Sequence, residues 1–178
     1  IYGDLKPSFY KGSVQETKSV NWTPNLTAFN TDDISFIEKK SYWNKNDIVS
    51  GVHAEWYDED NNLLSEAPTD AGTYTIKIKV DEITDPAYRL ASDTLTYTIK
   101  PLDLSDGGVH GLINQKTYTY TGEQQLPSGK WGLYGNSSWQ LPEGSYHFET
   151  IEGKNCTEPG FAYCNVVGDG KNVIGSKE

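Results

Sequence analysis

Residues 67–80 read A-P-T-D-A-G-T-Y-T-I-K-I-K-V, and this stretch decides the fold class. Pro68, Asp70 and Gly72 are turn formers: proline presets φ, aspartate bonds its own backbone and glycine accepts unusual dihedrals. After them Tyr74, Ile76, Ile78 and Val80 alternate with Thr73, Thr75, Lys77 and Lys79. A period of two places the four apolar side chains on one face of a strand and the polar ones on the other. Working outward, Thr94 to Lys100 repeats the pattern as T-L-T-Y-T-I-K, with Leu95, Tyr97 and Ile99 directed inward and Pro101 as its stop. Upstream, Val52, Ala54 and Trp56 alternate with His53, Glu55 and Tyr57. The run Asp58 to Asn62, D-E-D-N-N, then turns the chain, which reads as a hairpin.

The rest of the composition agrees. Twelve Tyr, five Trp and no Met suit pleated surfaces better than helical bundles, and 17 Gly and 8 Pro punctuate the chain often. No stretch carries an apolar 3.6-residue period over four turns. The expected class is mainly β. With 178 residues there is room for one large or two small domains. Pro101 to Gly108, P-L-D-L-S-D-G-G, is the expected boundary between a module at 1–101 and a second β-rich module at 102–178.

Between these landmarks the reading is local. Gly3-Asp4 is read as a turn flanked by Tyr2, Phe9 and Tyr10. Pro24 confines Ser19 to Phe29 to an edge strand or a loop. Thr31-Asp32-Asp33 either caps a short helix or starts a strand. Thr117 to Gly122, T-Y-T-Y-T-G, reads as another alternating strand running into a turn. Pro142 to Phe148 echoes Pro68 to Ile76, and Tyr120 to Pro127 echoes Tyr2 to Pro7, which suggests weak internal repeats. The final residues, V-V-G-D-G-K-N-V-I-G-S-K-E, lack a closing strand like Thr94 to Lys100. The second module is therefore expected to be truncated or completed by another segment. The chain opens in strand-like sequence and reads as part of a longer protein.

A formal net charge of −10 repels phosphate backbones and anionic lipid, which disfavours nucleic-acid and membrane-surface roles. No run is apolar enough to span a bilayer as a helix. Cys156 and Cys164 flank T-E-P-G-F-A-Y. A hairpin turning at Pro159-Gly160 would set the two thiols opposite each other, so a disulfide is expected, worth roughly 2–3 kcal/mol for so short a loop; the alternative is two separate buried thiols. The C-x7-C spacing lacks a second pair and is not a zinc pattern.

Taken in order, Y-G-D with Pro7, P-T-D-A-G-T-Y-T-I and L-T-Y-T-I-K-P resemble the tandem MBG-type repeats of bacterial cell-surface proteins, which are related to the mucus-binding repeats of lactobacillus adhesins. The resemblance covers residues 1–101 well. Residues 102–178 match more loosely, through Y-T-G-E-Q-Q-L-P, G-S-Y-H-F and G-D-G-K-N-V-I-G-S. It implies β-grasp-like modules, or alternatively immunoglobulin-like β-sandwiches. It also implies an extracellular, wall-attached adhesin with neighbouring repeats in the same chain, and no enzyme.

Catalytic patterns are sparse. His53, His110 and His147 lie in separate segments and no G-x-S-x-G elbow occurs. Asp58, Glu59 and Asp60 sit in a turn, where aspartate serves the backbone. Asp58, Asp60 and Asn62 match D-x-D-x-N, but a calcium loop needs glycine and glutamate where Leu63 and Thr69 stand, so no metal is expected. No cofactor is expected either. The binding candidates are Trp131, Tyr134, Asn136 and Trp139, rings among glycines with polar neighbours, placed to stack on a sugar face. Core packing is the commoner fate of such rings. The functional expectation is a non-enzymatic adhesin segment that binds host glycoprotein or mucin, or serves as a stalk. The alternative is a carbohydrate-binding module of a secreted polysaccharide-degrading enzyme. A pilus-like or receptor protein that binds protein alone is a third possibility. An exposed aromatic row favours sugar; a buried one favours the stalk.

Overall fold

The computed structural model describes residues 1–113, 117–127, 131–133 and 140–178. The chain is mainly β. It divides into two compact units: residues 1–20 with 27–100, and residues 21–26 with 101–178. The 21–26 segment thus groups with the second unit, where the sequence reading had placed it in the first.

The first unit holds β1 (Gly3–Ser8), β2 (Thr17–Asn21), β3 (Ser35–Glu38), β4 (Val49–Tyr57), β5 (Gly72–Ile83), β6 (Tyr88–Leu90) and β7 (Thr94–Lys100). Four of these form one sheet in the order β2-β7-β5-β4. Its centre is the pair read from the sequence. Tyr74 faces Tyr97 and Ile76 faces Leu95 across β5 and β7, and on the other side Ile76 faces Trp56 of β4. Tyr74, Ile76, Ile78, Leu95, Tyr97, Ile99 and Trp56 are all buried, so the period-two pattern becomes one continuous apolar face. Burial also pushes the Tyr97 phenol above its ordinary pKa. Phe29 packs its ring 5.5 Å from Tyr97 and 6.2 Å from Trp56, and Phe9 stands edge-on to Phe29 at 5.3 Å. Val80 departs from the expectation, being half-buried, and β5 runs on to Ile83.

The other sheet of this unit has the order β3-β1-β6, with β1 antiparallel to β3 and parallel to β6. Gly3-Asp4 opens β1, as the strand-like reading of the opening residues has it and not as a turn. Pro7 is tolerated in this central strand because β6 pairs only with Gly3 to Leu5, so no partner on that side asks Pro7 for a donor. Leu5, Phe36 and Ile37 are fully buried. The ambiguous Thr31-Asp32-Asp33 segment serves both of its readings. It makes one 3-10 turn, capped by the Asn30 side chain, and then hands over to β3.

The second unit holds β8 (Leu102–Asp103), β9 (Gly111–Ile113), β10 (Trp131–Leu133), β11 (Tyr146–Thr150), β12 (Cys164–Gly168), β13 (Val173–Ile174) and β14 (Ser176–Lys177). They pair as β9-β10, β8-β13 and β11-β12-β14. Its buried side chains include Trp22, Leu104, Leu141, Val166 and Val173. The last residues are not left without strands. Val173 pairs with Leu102 in parallel, and Ser176 pairs with Val167. Thr117 to Gly122, expected as a strand, takes no part in a ladder.

Candidate functional site

In the second unit, residues 117–127 and 156–164 border a cleft of about 570 Å³. That size lies within the range of small-ligand pockets, roughly 300–1,000 Å³. Two side-chain amides build its walls. Gln125 donates from Nε2 to the Thr119 carbonyl at 2.8 Å and to Thr121 Oγ1 at 2.8 Å, folding 119–125 into a compact turn. The Gln125 backbone N–H then reaches the Cys156 carbonyl at 2.9 Å and joins the two walls. Behind the opposite wall, Asn155 Oδ1 accepts from the Thr157 and Glu158 N–H groups, and its Nδ2 donates to the Glu158 and Phe161 carbonyls. Asparagine at the head of a loop organises the backbone behind it in this way.

The result is a set of exposed rings. Tyr118, Tyr120, Phe161 and Tyr163 all line the cleft, and Phe161 is 89% exposed. The ammonium of Lys154 lies 4.6 Å from the Tyr163 ring centroid and pairs with Glu178 at 3.1 Å. Rings with one face in water offer flat apolar area to a ligand that also has polar edges.

The expected Cys156–Cys164 disulfide is not formed, and both thiols are free. The cause is the loop register. Asn155 pulls 155–163 into its own turn, with the Tyr163 N–H on the Asn155 carbonyl, and Cys164 pairs across the sheet with Thr150 rather than with Cys156. Burial, and secondarily the nearby Cys156, push the Cys164 thiol above its ordinary pKa. It is therefore a poor nucleophile at neutral pH.

Of the sequence candidates, Tyr134, Asn136 and Trp139 lie outside the described residues, as does the side chain of Trp131, whose backbone belongs to β10. The rings that do face solvent escaped notice because T-Y-T-Y-T was read as a strand with one covered face. The usable signal was its lack of aliphatic residues: tyrosines alternating only with threonine provide nothing that must be buried.

The other chemical candidates resolve into structure. Asp58 accepts from the Asn62 N–H, the Asn62 side chain and the Asp60 N–H, which together hold its carboxyl below the ordinary value. That carboxylate closes the β4 turn. His53 bonds Asp81 at 2.9 Å in the first unit, and His147 bonds Glu149 at 2.6 Å in the second. Among the described residues, no three His, Cys, Asp or Glu side chains are grouped to hold a metal ion. No family model, curated protein or solved structure matches this chain.

Proposed function

We propose that this chain is a non-enzymatic segment of a bacterial surface adhesin, and that its second unit binds glycan on a host glycoprotein through the cleft bordered by Tyr118, Tyr120, Phe161 and Tyr163. The observation that carries this reading is the set of exposed rings in one groove. Sugars present apolar C–H faces and polar rims, and tyrosine rings with an apolar body and a polar tip suit both. An extracellular, wall-attached setting with neighbouring repeats accords with the resemblance described above. For the first unit we favour the sandwich-like alternative. It has two sheets and no α-helix among its residues, and a β-grasp module would lay a helix across its sheet.

The same cleft would serve a carbohydrate-binding module of a polysaccharide-degrading enzyme, so the ligand panel must separate the two. Mucin glycopeptides and cell-wall polysaccharide fragments are titrated against the purified chain. Tight binding of the former supports the adhesin, and tight binding of the latter supports the module. Phe161→Ala and Tyr163→Ala should each weaken the interaction roughly tenfold, as ring anchors do. Melting temperature should hold, because neither ring is in a core. Unchanged affinity in both variants, or no saccharide binding by the parent chain, would refute the reading.

A further inference from the structure

A second surface, in the first unit, carries a different chemistry. Residues 39–45 read K-K-S-Y-W-N-K, so Lys39, Lys40 and Lys45 fall within seven residues free of acids, in a chain whose net charge is −10. The segment is tightly built. The Tyr42 N–H donates to the Glu38 carbonyl at 2.8 Å, the Glu38 N–H to the Trp43 carbonyl at 2.9 Å, and the Lys45 N–H to the Phe36 carbonyl at 2.8 Å. Asn44 bridges Ile37, so the loop returns alongside β3. The Lys39 N–H donates to the Asp4 carbonyl, which ties the loop to β1 as well.

Its rings point outward, while Lys45 is half-buried. Trp43 is 69% exposed and Tyr42 is exposed beside it. Lys45 Nζ lies 5.8 Å from the Trp43 ring centroid and 5.2 Å from that of Tyr88, within cation–π reach of both. Acids do stand near: Asp4 pairs with Arg89 at 3.0 Å, Glu38 takes the Ser41 hydroxyl, and Asp47 lies exposed two residues after Lys45. Lys39, Lys40 and Lys45 make no ion pair among the described residues. Tyr42 sits at φ 57°, a backbone state that bulky L-residues seldom adopt and that tends to occur at functional sites.

We propose that this loop is a binding site for a carboxylated saccharide of the uronate type, with Trp43 stacking on the sugar face and Lys45 holding the carboxylate. An anchored loop loses little freedom on binding, which favours recognition of a small ligand. The charge argues for the partner: three ammonium groups without a carboxylate partner among the described residues suit an anion. A membrane fits less well, because the loop has no aliphatic side chain to insert. The site draws on residues of the first unit alone.

The test titrates the full chain with a glucuronate-containing tetrasaccharide, with its carboxyl-reduced neutral counterpart, and with phosphatidylserine–phosphatidylcholine vesicles. The acidic sugar should bind, more weakly as salt rises, and the neutral one should bind worse. Trp43→Ala should reduce affinity about tenfold and Lys45→Gln about fivefold. Leu63→Ala, an exposed change outside both proposed sites, should leave it unchanged. Equal binding of the reduced sugar would overturn the proposal. So would binding to vesicles alone, retained affinity in both loop variants, or loss of affinity in Leu63→Ala.

Discussion

Single atoms account for much of the behaviour of the first unit. Two buried serines make the contrast. Ser8 donates to the Ser13 carbonyl at 2.8 Å and accepts from the Tyr10 and Gln15 N–H groups, so its hydroxyl fixes the bend after β1. Ser35, equally buried, has no partner for its Oγ. A buried hydroxyl without a partner costs about 1–3 kcal/mol, whereas an apolar replacement of similar size leaves nothing unsatisfied. Ser35→Ala should therefore hold or raise stability by up to about 1 kcal/mol. Ser8→Ala should lower it by about 1–3 kcal/mol, because two backbone donors are stranded. Urea denaturation of both variants checks the pair. The carboxylates add a smaller effect in acid. Asp58 is held down by the Asn62 and Asp60 N–H groups, and Glu55 first by the Tyr57 hydroxyl and then by Lys79. A depressed folded value means that such contributions are complete above the ordinary carboxylate range and fade as pH falls through the lowered values.

At the level of elements, the alternating pattern was a good guide where a second strand could answer it. β5 and β7 read directly from T-Y-T-I-K-I-K and T-L-T-Y-T-I-K because their apolar residues meet in register, Tyr74 with Tyr97 and Ile76 with Leu95. The same alternation at Thr117 to Gly122 has no answering strand, and its tyrosines stand in the cleft instead. Sequence periodicity states which side chains share a face; it does not state whether anything covers that face. The cysteine loop failed for a related reason. Proline and glycine near its middle marked a turn, but the four bonds of the Asn155 amide chose a different register. The basic-aromatic loop leaves no signature in the sequence, since three-dimensional closeness of Lys45 to Tyr88 has no local trace. Within β5 the structure separates two residues that the pattern treated alike. Ile76→Ala should cost about 2–5 kcal/mol, the range for an emptied core site. Val80→Ala, at a half-buried position, should cost clearly less. Chemical denaturation of the two variants decides it. Equal losses would show that the core extends beyond Ile78.

At the level of the whole molecule, the boundary near Pro101 is not a clean cut. Asn21 to Leu26 leaves the first unit, contributes to the second, and the chain then returns to finish the first. Trp22, the large ring of that excursion, is 6% exposed. A fragment containing only residues 102–178 lacks this piece. It should show poorer near-ultraviolet ellipticity and a lower melting temperature than the same residues in the full chain. Adding a peptide of residues 17–28 should restore part of the loss. A fragment as stable as the intact chain would show that Trp22 is dispensable. The excursion also sets a timetable for biogenesis. Chains emerge from the ribosome N-terminus first, at roughly 5–20 residues per second. Residues 21–26 are made early, but their companions span residues 101–178. The first unit can therefore close around a gap while Trp22 waits several seconds for the partners that will shelter it.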